Sequence, residues 1–478
     1  MGAKRRLYAA GEAMERATSF EAWLEAATEH DALSGAEAWR ADDASPHYDA
    51  AGLRESLATL RAARESGEGL RLATLLTEDL YRHLNDLSTP DLYERALTGT
   101  KHLVERYLEE AEASLRWLAA WPELGRPQKL QRFELAYKVF GRSALLLSGG
   151  ATWGFHHLGV VKALLDRGLL PHIISGSSTG AMVAAGICAR SDDELRGLFA
   201  DPRQMRLDGL VPVGASKSVK SGAWLDPEKL YEVLLHNCGG WTFAEAFARS
   251  GRALNISVSP TRHRQKPRLL THLTAPDVLI ARAALASSAL PGLFPPVVLH
   301  KRGHDGGVAD YVPSERWVDG SLWGDLPKQR LSRLHNVNHF IVSQTNPLVL
   351  PLLQHGRKRG VRATVAGLVG ATVRNQGGFA ADLARRARPP GPVGQVAEQA
   401  YAFVNQEFHG DIDIHPRLTW SSYKKVVSNP TYDDLSQFIL EGERAVWPQV
   451  AKIRNQTRIG AAFRECVAQL ATDAAPAR

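Results

Sequence analysis

Two glycine-rich turns hold the residues of this chain whose types and spacing could do covalent chemistry. In the first, Gly176-x-Ser178-x-Gly180, a serine stands between two glycines. A serine on a sharp turn from strand to helix is held exposed, and flanking glycines relieve backbone crowding there. The helix N-terminus that follows adds partial positive charge beside a developing oxyanion. The pattern alone is weak, because a plain Gly-rich turn needs no catalytic role.

A second turn strengthens it. Gly149-Gly150-Ala151-Thr152-Trp153-Gly154 lies 24 to 29 residues upstream of Ser178, after an apolar run and before a helical pattern. Backbone N–H groups at such a turn can hold an oxyanion, which is worth about 10²–10³ in rate per donor. Consecutive parallel strands tend to lie side by side, so both turns would meet at one sheet edge. A nucleotide-binding loop is disfavoured, since the GxGxxG order and the GK[ST] ending are both missing.

A serine nucleophile needs a base. A conventional α/β-hydrolase supplies Asp or Glu and then His, with an oxyanion loop well before the nucleophile. Here the glycine-rich loop precedes Ser178 by only one helix and one strand, which favours a different arrangement.

Ser148 to Val160 (SGGATWGFHHLGV), Gly176 to Gly180 (GSSTG) and Val318 to Ser321 (VDGS) resemble the three signatures of the patatin-like phospholipase family. Pro291 to Pro295 (PGLFP) resembles a further family segment, so the likeness spans about residues 144 to 346. The resemblance implies a three-layer α/β/α core and a Ser–Asp dyad without histidine. Ser178 would be the nucleophile, framed by Gly176 and Gly180, and Asp319 the base. Gly149, Gly150 and Ala151 would form the oxyanion loop. No metal or organic cofactor would be needed.

Gly99 to Tyr107 (GTKHLVERY) resembles the domain that precedes the core in eukaryotic triacylglycerol lipases, as does the run from Asp319 to Asp325-Leu326-Pro327. Many family members carry Arg or Lys where Trp153 stands, which tells against a phospholipase more than against hydrolysis. The resemblance therefore implies cleavage of fatty-acyl esters of glycerolipids, by a triacylglycerol lipase first and by a phospholipase or lysophospholipase second. A non-catalytic lipid-binding protein on a hydrolase fold is the rival from another class.

Other residues compete for roles. Asp305-Gly306-Gly307 is a second Asp-Gly match, but it sits among Lys301, Arg302 and His304 like an exposed loop. His156 and His157 follow the first turn and read as helix-start residues that pack or cap. His409 and His415 could complete a triad but lack a glycine turn or carboxylate framework around them. A carboxylate base has its own difficulty: an ordinary Asp titrates near pH 4. Desolvation would raise its basicity, and an apolar pocket for acyl lipid would supply that.

The elements that must position these residues follow from hydrophobic periodicity. Residues 1–138 read as an N-terminal helical domain, with stripes such as Leu53, Leu57, Leu60 and Leu103, Tyr107, Ala111, Leu115. Two prolines and a glycine within Trp121 to Gln128 (WPELGRPQ) mark a linker. Residues 139–346 then alternate strand and helix, the signature of a parallel sheet. Strands are expected over Ala144–Leu147, His172–Ile174, Ala253–Val258, Leu269–Leu273 and His339–Ser343. Residues 347–478 read as a helical, basic region, with a last amphipathic helix from about Asp433 that continues through Val450.

Composition bounds the rest. The chain has 478 residues, a net charge of +7 and three scattered cysteines. An odd, dispersed set argues against a disulfide framework or a cysteine zinc site and suits a reducing, cytoplasmic compartment. No secretory signal and no run of about 18 apolar residues is expected. Residues 355–388 carry eight Lys or Arg and one acid, Asp382, with Val361, Val365 and Leu368 interleaved. That pattern suits either a solvated face or peripheral contact with a membrane or lipid-droplet surface. Nucleic acid is not an expected partner, for no recognisable binding module occurs.

Overall fold

The computed structural model describes residues 2–81, 87–214, 218, 223–262, 265–347, 349–350, 408–417 and 426–472. The basic 355–388 segment lies outside the described residues. The chain divides into two compact units: residues 1–143 with 446–478, and residues 144–445.

The first unit is helical. Leu53, Leu57 and Leu60 of Ala50–Glu65 meet Tyr107, Ala111 and Leu115 of His102–Ala120 in one core. The C-terminal helix Val450–Thr472 closes that core with Ile459, Ala462 and Phe463. The Phe463 ring lies 6.1, 5.9 and 5.8 Å from those of Phe133, Tyr137 and Phe140. The Gly99–Tyr107 stretch holds a buried Lys101, whose ammonium donates to the carbonyls of Asp42 at 2.6 Å and Ala44 at 2.9 Å. It also stands 4.5 Å from the Trp39 ring centroid, so the charge is partnered where it is buried.

The expected last helix is interrupted. Tyr432–Val446 ends at a 3-10 turn, Trp447–Gln449, and a new helix begins at Val450. Pro448 has no N–H to continue the ladder, and periodicity alone does not register that break. The two helices fall in different units. The division is thus into two bodies, one built from both ends of the chain, and differs from three consecutive segments.

The second unit is an α/β fold. Its strands are β1 (Arg142–Leu147), β2 (Ile173–Gly176), β3 (Ala253–Pro260), β4 (Arg268–Thr271), β5 (His300–Arg302), β6 (Val308–Asp310), β7 (Trp317–Asp319), β8 (Val337–Ser343) and β9 (Ile412–Ile414). The main sheet runs β4-β3-β2-β1-β8-β9, and β7 also pairs with β3. β1, β2 and β3 are mutually parallel. Leu145, Leu146 and Leu147 are buried, as expected for a strand covered on both faces. All five expected strands form, with no end shifted by more than two residues. The short strands β5, β6, β7 and β9 have only three residues each, too few to show a period.

Helices His156–Leu165 and Thr179–Cys188 follow β1 and β2. The first is crossed closely by Tyr432–Val446. A Cβ on Gly159 would lie 2.9 Å from the Gly442 Cα, and one on Gly442 would lie 2.8 Å from the Val160 nitrogen. Two glycines therefore set this crossing. Gly442→Ala should lower stability by about 1–3 kcal/mol through overpacking, despite the better helix propensity of alanine. Thermal denaturation measures it, and an unchanged or raised Tm would contradict the close crossing.

Candidate active site

β1 and β2 end side by side, with Leu147 opposite Gly176. The chain leaves each strand through one of the two turns. At the second, Ser178 has φ 53° and ψ −126°, a left-handed conformation rare outside glycine. Such strain costs about 1–3 kcal/mol and persists only where the surroundings enforce it. They do so here through glycine. A Cβ on Gly176 would run into the backbone of Gly180, and one on Gly180 into the Leu147 carbonyl. The Ser178 N–H donates to Ser287 Oγ at 3.0 Å, and Ser287 Oγ donates to the Ser257 carbonyl at 2.7 Å.

The first turn lies against the second. A Cβ added at Gly149 would stand 3.3 Å from the Ser178 Cβ. Backbone N–H groups are obligatory donors, so their partners across the turn can be followed one by one. Ser148 N–H donates to the Ser343 carbonyl at 3.1 Å, and Thr152 N–H to the Val426 carbonyl at 3.0 Å. Gly149 N–H donates to Asp325 Oδ1 at 2.8 Å. Among the described residues, only the N–H groups of Gly150 and Ala151 in this run of five have no acceptor. Ala151 is left-handed too, with φ 48°. The sequence expectation grouped Gly149, Gly150 and Ala151 as donors; the Gly149 N–H is engaged elsewhere.

Asp319 ends β7, where it pairs with Val258 of β3 in antiparallel register. Its carboxyl is buried, and the Ser178 hydroxyl stands near enough to lower its pKa. Its Oδ1 accepts the Ser321 N–H at 2.7 Å. Burial pushes its pKa up to about 6, against the lowering pull of hydrogen bonds from Ser321 and Ser178.

The remaining residues singled out in the sequence go elsewhere. Asp305 is exposed in the β5–β6 loop, where Oδ1 accepts the Gly307 N–H at 3.0 Å. His304 is exposed beside it. His409 pairs with Asp413 at 2.9 Å. His415 contacts the Pro416 carbonyl at 3.3 Å. His156 and His157 are fully buried, and burial pushes their pKa values down to about 3 and about 4. His157 Nε2 donates to the Ser148 carbonyl at 2.9 Å, so its neutral Nδ1 accepts from Ser343 Oγ at 2.7 Å. It therefore holds the base of the first turn. Asp325 is the residue that sequence reasoning left without a role. Its signal was the Asp-Leu-Pro run six residues after Asp319.

Ala151 and Ser178 open onto a pocket walled by Met182, Ile187, Leu198, Leu230, Leu234 and Phe294. Arg190 also reaches the pocket, but its guanidinium donates to the carbonyls of Gly186 at 2.8 Å and Asn237 at 2.6 Å.

Comparison with known proteins agrees with this geometry. Residues 145–324 match the model of the patatin-like phospholipase family, and residues 2–138 match a domain of unknown function, DUF3336. The chain is 33% identical to the triacylglycerol lipase ptl3 of Schizosaccharomyces pombe, over 93% of this chain and 94% of that protein. This chain belongs to the patatin-like phospholipase family. It is also 32% identical to triacylglycerol lipase 4 of Saccharomyces cerevisiae, over 92% of this chain and 51% of that one. A patatin-like phospholipase domain-containing protein of Aspergillus terreus is 32% identical over 92% of this chain. The chain spans 66% and 56% of the first two curated relatives it matches. Among solved structures, VipD from Legionella pneumophila aligns over 63% of this chain and 67% of its own, at 14% identity and a TM-score of 0.28, a likeness too loose to carry an argument.

A patatin-like base must be ionised to accept a proton, so hydrolysis of a soluble ester should fall as pH drops through about 6. The folded-state pKa lies above the ordinary 3.8, so the folded chain holds this proton more tightly than the unfolded one. The stability linked to that proton is present below pH 3.8 and is lost as pH rises to about 6. Asp319→Asn should therefore abolish hydrolysis at pH 8 without lowering Tm, while Asp305→Asn leaves both near wild type. An active Asp319→Asn protein, or the reverse ranking of the two aspartates, would move the base elsewhere.

Proposed function

We propose that this patatin-like chain is a serine lipid acyl hydrolase that cleaves fatty-acyl esters of glycerolipids. Triacylglycerol is the leading substrate. The reading is carried by Ser178, which lines an apolar pocket and stands near the buried Asp319 and two unengaged N–H groups.

In the proposed reaction the acyl chain lies in the pocket. Ser178 Oγ attacks the ester carbonyl carbon as Asp319 takes the hydroxyl proton. The carbonyl oxygen becomes an oxyanion that the Gly150 and Ala151 N–H groups bind. Collapse of the tetrahedral intermediate expels the glycerolipid alcohol, which receives the proton back from Asp319. Water then attacks the acyl-serine, Asp319 takes its proton, and the fatty acid leaves with Ser178 restored.

Triacylglycerol is favoured by the pocket walls and by the buried Trp153, which stands where many relatives carry a base. The relatives from the two yeasts bear the name triacylglycerol lipase. A phospholipase of the same mechanism is the second reading. An insoluble substrate also requires the enzyme to meet a lipid surface. No described helix is long and apolar enough to cross a membrane. Exposed apolar side chains stand by the pocket instead: Val427, 54% exposed, lines it, and Trp224, 70% exposed, precedes the lining residue Leu225. Exposed aromatic and apolar side chains beside a pocket suit peripheral contact with a membrane or lipid droplet.

Ser178→Ala should reduce hydrolysis by about 10⁴-fold or more and abolish fluorophosphonate labelling. A non-catalytic lipid-binding protein would show no labelling in the wild type. Changing Arg357, Lys358, Arg359 and Arg362 to Gln should weaken co-sedimentation with anionic vesicles at low salt, since each basic residue near such a surface contributes about 1 kcal/mol. Hydrolysis of a short soluble ester should be unchanged. Equal binding would leave that segment no role at the surface.

A further inference from the structure

We propose that Asp325 is a positioning residue that clamps the oxyanion turn to the nucleophile turn, leaving the Gly150 and Ala151 N–H groups as the donors to the oxyanion. This inference rests on the hydrolase reading above. Asp325 is 2% exposed, and it is tied to both turns. Its Oδ1 accepts the Gly149 N–H at 2.8 Å, and its backbone carbonyl accepts the Ser177 hydroxyl at 2.9 Å. Ser177 immediately precedes the nucleophile. The same short stretch begins at Asp319, whose Oδ1 accepts the Ser321 N–H. Residues 319–325 thus connect base, oxyanion turn and nucleophile turn within one chain segment.

The bond to Gly149 has a direct consequence for its neighbours. Fixing that N–H fixes the Ser148–Gly149 peptide plane, and the next plane, which enters Gly150, is held at the Gly149 carbonyl by Ser148 Oγ at 3.0 Å and Thr345 Oγ1 at 3.4 Å; Gly150 has little steric preference of its own. Gly150 is held on its other side as well, since a Cβ there would stand 2.9 Å from the Thr345 carbonyl. A free Gly149 N–H would otherwise compete for the substrate oxygen from a different position. A residue chosen only for packing would not be a buried carboxyl. Burial pushes Asp325 up to about 7, with repulsion from the Asp319 charge adding to it. Hydrogen bonds from Gly149 and Asn346 oppose that rise.

The test uses the full chain, a short soluble ester, and the variants Asp325→Ala and Asp325→Asn, with Ser178→Ala and Asp319→Asn as controls. Asp325→Ala loses the acceptor and should lower kcat by about 10–100-fold with KM little changed, because misplaced donors cost transition-state binding rather than substrate binding. Fluorophosphonate labelling should slow in parallel. Asp325→Asn keeps an acceptor oxygen and should restore kcat to within about threefold of wild type. Its acidic limb near pH 6 should remain, since Asp319 supplies it. Wild-type kcat in Asp325→Ala, a loss carried by KM, or an Asn variant as impaired as the Ala variant would each overturn the clamp. Should Asp325→Ala fail to fold, the Asn variant decides, and a 100-fold fall in its kcat overturns the proposal. Activity surviving in Asp319→Asn but not in Asp325→Asn would make Asp325 the base, which overturns the dyad itself. Activity surviving in Ser178→Ala would overturn the hydrolase reading beneath both.

Discussion

The site depends on a backbone contact that involves almost no side chain. At the exit of β2 the chain must turn sharply enough to put Ser178 at φ 53°, and it does so by packing Gly176 on Gly180 and Gly180 on the Leu147 carbonyl. A β-carbon at either glycine has nowhere to go. The strain at Ser178 is therefore imposed by neighbours that cannot retreat, which is the condition for a strained residue to persist. Because Leu147 is the last residue of β1, the same contact fixes the two turns relative to each other. The turn that carries Ser178 and the turn that carries Gly149 are set by strand register, not by flexible loops.

Asp319 arrives by a different route. β7 pairs with β3 antiparallel, so Asp319 is delivered to the sheet opposite Val258 while β1, β2 and β3 run together. A three-residue strand has few bonds of its own, and its place is secured by hydrogen bonds at its ends. Asp319 N–H donates to the Ala289 carbonyl at 3.0 Å, and Trp317 and Val297 exchange bonds of 2.8 Å in both directions. Gly320, next to Asp319, approaches so near to Ser257 that a Cβ there would overlap the Ser257 backbone. Ser257 in turn receives the hydroxyl of Ser287, which supports Ser178. Ser178 and Asp319 are thus braced on one residue of β3.

These features were unequally legible in the sequence. The two turns could be read because a glycine pattern after an apolar run is a local signal. The central strands could be read because they are long and apolar. Asp319 could not be separated from Asp305 by spacing alone; both are Asp-Gly pairs, ranked by the charged neighbours of Asp305 and by family resemblance. Their difference is non-local, one at the end of a strand paired to β3 and the other in an exposed hairpin loop. The same holds for Asp325, whose partners Gly149 and Ser177 lie 176 and 148 residues away in sequence. The crossing at Gly159 and Gly442 and the break at Pro448 were likewise hidden. A helical period shows which face is apolar, not what approaches that face.

In the proposed mechanism, burial is what makes a dyad without histidine chemically sufficient. In the proposed mechanism a lone carboxylate must take a proton from serine, and at its ordinary pKa of 3.8 it would be a poor acceptor. Desolvation brings Asp319 to about 6, near where a free imidazole titrates, about 6.5. Serine hydrolases with a triad reach that basicity with two side chains, a histidine and the acid that orients it. Here one carboxyl suffices if the site stays dry. The histidines near the turn are consistent with this: His157 is spent on the Ser148 carbonyl and Ser343, and burial keeps it neutral. The apolar pocket beside Ser178 offers an acyl chain a place to bind, while Asp319, 2% exposed, is kept dry by its own packing and does not wait on the pocket being filled.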